Sequence, residues 1–85
     1  MIEFNIEIHD ELGLHARPAG QIVKIASKYK SAISIKKGAQ TADAKKLFSV
    51  MALGARQGEK ITFTFEGDDA AEAAAEIEQF VSANL

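Results

Sequence analysis

The stretch "IEFNIEIH", Ile2 to His9, alternates strictly between apolar and polar side chains. Successive side chains of an extended chain point to opposite faces. Ile2, Phe4, Ile6 and Ile8 therefore share one face, and Glu3, Asn5, Glu7 and His9 the other. That pattern describes a strand with one side on a core and the other in water. "AISIKKGAQTA", Ala32 to Ala42, reads as a strand with Ile33 and Ile35 inward, a turn at Gly38 and a short return strand. "KITFTFEG", Lys60 to Gly67, alternates again, with Ile61, Phe63 and Phe65 inward. Strands that keep a polar face belong to an antiparallel sheet covered on one side only.

Between these strands lie stretches with helical spacing. In "RPAGQIVKIASKY", Arg17 to Tyr29, the stripe is Ala19, Ile22, Val23, Ala26 and Tyr29. In "DDAAEAAAEIEQFVSAN", Asp68 to Asn84, it is Ala70, Ala73, Ala74, Ile77, Phe80 and Val81. Asp68 and Asp69 stand at that helix's start, where negative charge suits the dipole, and Glu72, Glu76 and Glu78 read as solvated positions. "KKLFSVMALG", Lys45 to Gly54, is a short helix with Gly54 as its stop. The order strand, helix, strand, strand, helix, strand, helix predicts an α+β open-faced sandwich, with residues 1–85 as one domain.

The composition narrows the class. With 47% apolar residues the chain has enough core without staples. The absence of cysteine removes a disulfide framework and a thiolate metal site. No apolar run approaches the roughly 20 residues needed to cross a bilayer, and no leader pattern is recognisable at the start. The expectation is a cytoplasmic protein with no membrane insertion. Net charge is only −2, but it is segregated. Leu12 to Gly58 holds nine basic residues and one acidic one, Asp43, whereas the remainder holds Lys60 and eleven acidic residues. Such segregation favours an acidic partner or an anion.

"GLHARPAG", Gly13 to Gly20, forms the corner between the first strand and the first helix. Gly13 supplies the freedom for a turn, and Pro18 suits a helix's first turn. His15 then stands just before the helix and Arg17 in its first turn. The first N–H groups of a helix lack intrahelical partners and, with the dipole, favour an anion. The same field disfavours imidazolium, which leaves a ring nitrogen of His15 as a nucleophile. A phosphoryl group on that nitrogen would meet the N–H groups of Ala16 and Arg17, with the Arg17 guanidinium adding forked, charge-assisted bonds. His9 is the only other histidine and lacks metal-ligand spacing to His15, so no metal is expected. There is no Gly-rich phosphate loop, so no nucleotide or other cofactor is expected. Few aromatic residues and no RNA-binding signature argue against nucleic acid.

In the short helix, Leu47, Phe48, Val50, Met51, Leu53 and Gly54 span an arc of roughly 220°. A helix lying on a core needs an apolar stripe a little over about 100° wide. Part of the arc should be exposed, with Phe48 and Leu53 at its two edges, and periodicity does not choose between them.

"GLHARPA" together with "KKLFSVMALG" resembles the histidine-containing phosphocarrier (HPr) family of the bacterial phosphoenolpyruvate-dependent sugar phosphotransferase system, and the likeness runs along essentially the whole chain. The resemblance implies a four-stranded antiparallel sheet with three helices on one face. It implies phosphorylation of His15 through its δ nitrogen, with Arg17 beside the site. The expected partners are enzyme I, which takes the group from phosphoenolpyruvate, and the sugar-specific permease components that receive it. The chain would be a phosphoryl carrier, not a turnover enzyme, and a monomer. The family's docking surface maps onto Ala16, Arg17, Gly20, Gln21 and Lys24, then Leu47, Phe48 and Met51, which resolves the exposed edge towards Phe48. Two positions depart from the pattern. Gly20 stands where a side chain such as alanine or threonine is usual, and a helical glycine costs roughly 0.5–1 kcal/mol. Lys46 stands where one branch of the family has a regulatory serine, and adds positive charge beside the docking surface. Lys46 leaves open a paralogue serving a nitrogen-linked chain or one dedicated permease. A protein-binding regulatory module is a further alternative.

Overall fold

In the computed structural model, which describes residues 1–85, the elements follow the expected order. They are β1 (Ile2–Glu7), α1 (Ala16–Ala26), β2 (Ala32–Lys37), β3 (Gln40–Asp43), α2 (Leu47–Ala52), β4 (Lys60–Glu66) and α3 (Ala70–Asn84). The four strands form one sheet in the order β1-β4-β2-β3, with every pairing antiparallel. β1 and β4 pair Phe4 with Phe63 and Ile6 with Ile61, while β2 and β4 pair Ile33 with Phe65 and Ile35 with Phe63. Directly opposed residues share a face, so the register carries the inward residues of the strands to one side, although Ile2 at the start of β1 stays exposed and Ile8 is buried just past the strand's end.

That side is the core. Ile61, Phe63, Phe65 and Ile35 are fully buried, and Ala19, Ile22, Ala73, Ile77 and Val50 meet them from the three helices. Phe4, Phe63 and Phe65 stack with ring centroids 5.2 to 6.3 Å apart. Each large apolar side chain removed from water contributes about 1.5–3 kcal/mol. The other side stays polar. There Thr62 donates to Asn5 at 2.6 Å across the β1–β4 pair. This is the predicted open-faced sandwich: an antiparallel sheet with helices on one face.

Several expectations shift. The first helix ends at Ala26, so Tyr29 lies in the following turn and not on the helical stripe. Its hydroxyl donates to Glu76 at 2.5 Å, and Lys28 donates to the same carboxylate at 2.6 Å. Glu76 is therefore a tie between the α1 exit and α3, and not a solvated position. Asp69 is the residue before α3, yet its carboxylate makes no cap bond to that helix. It accepts instead from the backbone N–H groups of Lys30 and Ser31, both at 2.9 Å, and from the Ser31 hydroxyl. Helical periodicity sees only neighbours three and four residues away. These partners are 38 to 48 residues distant along the chain.

Candidate functional site

The corner after β1 is held from several directions. The N–H of Ile8 donates to Glu59 and the N–H of Gly58 to Ile8, at 2.9 and 2.7 Å, which extends the β1–β4 pairing past the strand ends. The N–H groups of His9 and Asp10 both donate to the Leu85 carbonyl. Asp10 then organises a tight turn: its carbonyl accepts from Gly13 at 2.9 Å, and its Oδ1 accepts from the Leu12 N–H at 2.8 Å. Gly13 has φ +68°, and a Cβ there would lie 2.5 Å from the Ala55 carbonyl oxygen. The next residue, Leu14, donates to that carbonyl at 2.9 Å and is itself buried. Glycine thus lets the corner lie against the loop that leaves α2, for both conformational and steric reasons.

His15 occupies the cap position of α1 with extended backbone, and its carbonyl accepts the first helical bond from Ala19 at 3.0 Å. Its ring makes no cap bond. The N–H groups of Ala16 and Arg17 have no partner, and Pro18 has no N–H to offer. The first turn holds no acidic residue. Both donors and the positive end of the dipole are therefore open to an anion beside the imidazole. On the other side, Asp10 Oδ2 lies 3.9 Å from His15 Nε2. Sequence reasoning missed this neighbour. The signal was faint: an aspartate five residues ahead of the histidine faces it only because the 10–13 turn reverses the chain.

The expected docking positions fall on two packed helices. On α1, Arg17, Gln21 and Lys24 are exposed and Gly20 partly so, at spacings that repeat on one helical face. On α2, Phe48 is 84% exposed while Leu53 is 3% exposed, so the apolar arc opens at the Phe48 edge. Met51 is also exposed, and Leu47 is partly buried against the core. Lys46 caps α2 through its backbone, with the Val50 N–H on its carbonyl at 3.1 Å. A solvent-facing phenylalanine and methionine beside cations describe an apolar patch with a basic rim.

The basic middle of the chain is not uniformly free. Lys28 pairs with Glu76 and Lys37 with Glu59, and the Lys45 ammonium donates to the Tyr29 carbonyl at 2.7 Å. Arg17, Lys24 and Lys46 enter no ion pair. The unpaired cations at the candidate surface are thus those on α1 and at the start of α2. The one surface pocket lies elsewhere, about 430 Å³ between β2 and β3 and lined by Lys30, Thr41 and Lys45 among others. It includes none of the expected site residues.

Comparison with known proteins places this geometry in context. Residues 2–83 match the family model described as the PTS HPr component phosphorylation site. The phosphocarrier protein HPr of Buchnera aphidicola is 44% identical over 69 residues, 81% of each chain. That of Mycoplasma capricolum is 39% identical over 79 residues, covering 93% of this chain and 89% of the relative. The crystal structure of HPr from Thermoanaerobacter tengcongensis superposes with a TM-score of 0.92 at 38% identity, covering 98% of this chain and 93% of that one.

Proposed function

The chain belongs to the HPr family of the phosphotransferase system and is a phosphocarrier, and from that premise we propose that His15 is the residue that carries the phosphoryl group. One observation carries the assignment: the His15 ring stands uncapped beside the only two unpaired N–H donors at the start of α1, with no acidic residue in that turn. The bond between phosphorus and the donor protein breaks as a new bond forms to His15 Nδ1, and the electron pair of the broken bond stays with the donor. The transferred group spreads negative charge over three oxygens in a loose transition state. Ala16 and Arg17 N–H groups meet that charge, and the Arg17 side chain adds to them. In the onward step the Nδ1–P bond breaks, and its electron pair returns to the ring.

Enzyme I is the proposed donor and sugar-specific permease components the acceptors. Both would dock on Ala16, Arg17, Gly20, Gln21 and Lys24 of the α1 face and on Lys46, Leu47, Phe48 and Met51. The charge of Arg17, Lys24 and Lys46 speeds encounter with acidic partners, and the Phe48–Met51 patch supplies the apolar contact. A relay presents one face to donor and acceptor in turn, so the working form is read as a monomer. The chain is consumed and regenerated in successive transfers and does not turn over a substrate of its own. No helix is long and apolar enough to cross a membrane, and the proposed place of action is the cytoplasm, where phosphoenolpyruvate is made available to enzyme I.

The test is incubation with enzyme I, magnesium and phosphoenolpyruvate, followed by intact mass and fragment localisation. One acid-labile phosphate on His15 is expected. His15→Ala, at a partly exposed corner, should fold normally and accept none. Phosphate on the alanine variant would refute the assignment.

A further inference from the structure

The Asp10 carboxylate is built into the corner and not merely near it. Its backbone N–H is fixed to the Leu85 carbonyl at 2.9 Å, its own carbonyl holds Gly13, and Oδ1 holds the Leu12 N–H. With one oxygen committed to the turn, Oδ2 is left facing His15 Nε2 at 3.9 Å. Both side chains are about one-third exposed, at 32% each. A neutral imidazole has one N–H and one lone pair, and which nitrogen holds the proton is set by the group facing the ring. A carboxylate accepts and does not donate, so it favours the proton on the nitrogen it faces.

We propose that Asp10 is the positioning residue for His15: its carboxylate keeps the ring proton on Nε2 and thereby leaves the Nδ1 lone pair free for the phosphoryl group. The inference rests on the reading that His15 is the acceptor. When the Nδ1–P bond forms, the lone pair is used and the Nε2 proton stays on the ring. The ring then becomes cationic, and Asp10 faces that charge. When the group departs, the electron pair returns to Nδ1 and the ring is neutral again, with its proton still on Nε2. No proton leaves or enters in either direction.

The test compares the wild type with Asp10→Asn and Asp10→Ser. Asparagine keeps an oxygen for the Leu12 N–H but turns an amide N–H donor towards Nε2. Serine keeps a turn-forming oxygen and removes the charge. The imidazole nitrogen chemical shifts of His15, measured without phosphate at a pH where the ring is neutral, report the tautomer ratio. Nε2–H is expected to dominate in the wild type, to lose ground in the serine variant and to give way to Nδ1–H in the asparagine variant. The rate of transfer from phosphorylated enzyme I should fall by up to about fivefold, the range of a partly exposed charge contact. A tautomer ratio indifferent to Asp10 overturns the proposal, even if transfer slows, because the residue would then act only on the fold. The two readings fail separately: the ratio is measured on the unphosphorylated chain, whereas phosphate found on another residue would sink the acceptor assignment.

Discussion

Helices α1 and α3 begin in closely similar ways. Each starts three residues after a glycine with positive φ, Gly13 at +68° and Gly67 at +147°. At each glycine a Cβ would come within 2.5 Å of a packed neighbour, the Ala55 carbonyl oxygen in one case and the Ser31 hydroxyl in the other. The residue before α3 is Asp69, whose carboxylate is fully engaged with Lys30 and Ser31, and Glu72 adds negative charge to the first turn. The residue before α1 is His15, and that first turn has no acid and two unpaired N–H groups. The α3 start also leaves the N–H groups of Ala71 and Glu72 unpaired, but it is closed in charge: its first turn carries an acid of its own, and the carboxylate before it fastens the fold. The α1 start is left open for charge that arrives from outside. The proposed functional end differs from the other in the charge it lacks, not in the hydrogen bonds it leaves unmade.

The sharpest way to break this comparison is to give both glycines a side chain. Forcing an ordinary residue into a left-handed conformation costs about 1–3 kcal/mol, and the crowding adds to it. Gly13→Ala and Gly67→Ala should both lower stability by at least that amount in urea denaturation. They should differ in function. Gly13→Ala pushes the His15 corner away from Ala55 and should slow phosphoryl transfer under conditions where the protein is still folded. Gly67→Ala should leave the transfer rate of the folded fraction intact. Equal damage to transfer from both would mean the two starts are not functionally distinct.

Arg17→Ala probes the open end directly. A hydrogen bond to a charged group contributes more than a neutral one, but Arg17 is exposed, and the backbone donors of α1 remain. Transfer should fall by about tenfold, equivalent to about 1.4 kcal/mol, without change in stability. An unchanged rate would leave the backbone N–H groups as the whole of the anion site.

Acid should act mainly on the closed end. The Asp69 carboxyl is held below its ordinary range, first by the Ser31 hydroxyl and then by the Lys30 N–H. Glu76 is held low by the Lys28 ammonium and then the Tyr29 hydroxyl. A carboxyl with a depressed folded pKa contributes stability that is present above its unfolded value and is lost as pH falls through the folded one. Stability should therefore decline below about pH 4, where unfolded carboxylates begin to protonate. Asp69→Asn and Glu76→Gln should each be less stable at neutral pH and show a shallower acid decline. Tyr29 works with the opposite sign. Its hydroxyl is raised by donation to Glu76, so its contribution holds below the ordinary tyrosine value near pH 10 and fades above it. Acid profiles of both carboxyl variants that run parallel to the wild type would place the acid-sensitive contacts elsewhere.

The same contrast explains what could be read from the sequence. The open end was legible because it is local: Gly13, His15, Arg17 and Pro18 are consecutive or nearly so, and helix-start chemistry follows from neighbours alone. The strands were legible because alternation of Ile61, Phe63 and Phe65 is a two-residue signal. The closed end was not, because Asp69 and Glu76 look like ordinary helix-start and helix-surface acids until the fold brings Lys28 to Ser31 against them. Asp10 was missed for a related reason, since its approach to His15 depends on the path of a turn. Periodicity alone left the exposed edge of α2 open between Phe48 and Leu53; the family resemblance pointed to Phe48, and the packing does expose Phe48 and bury Leu53. Contacts closed by tertiary structure leave little trace in periodicity.

Gly20 gives the smallest and most specific test. It sits inside α1 with a normal helical φ, and a Cβ built there meets nothing within 4 Å. Nothing in the fold therefore demands glycine at this position, in contrast to Gly13 and Gly67. Gly20→Ala removes backbone freedom from the unfolded chain and raises helix propensity, so it should stabilise the protein by about 0.5–1 kcal/mol. It also adds a methyl to the partly exposed α1 face between Arg17 and Lys24, on the proposed docking surface. If that face contacts enzyme I, the variant should change the KM for the carrier while leaving transfer within the complex alone. Stabilisation without any change in KM would restrict docking to the α2 patch. A loss of stability would mean that α1 is already strained at Gly20 in a way its open surroundings do not reveal.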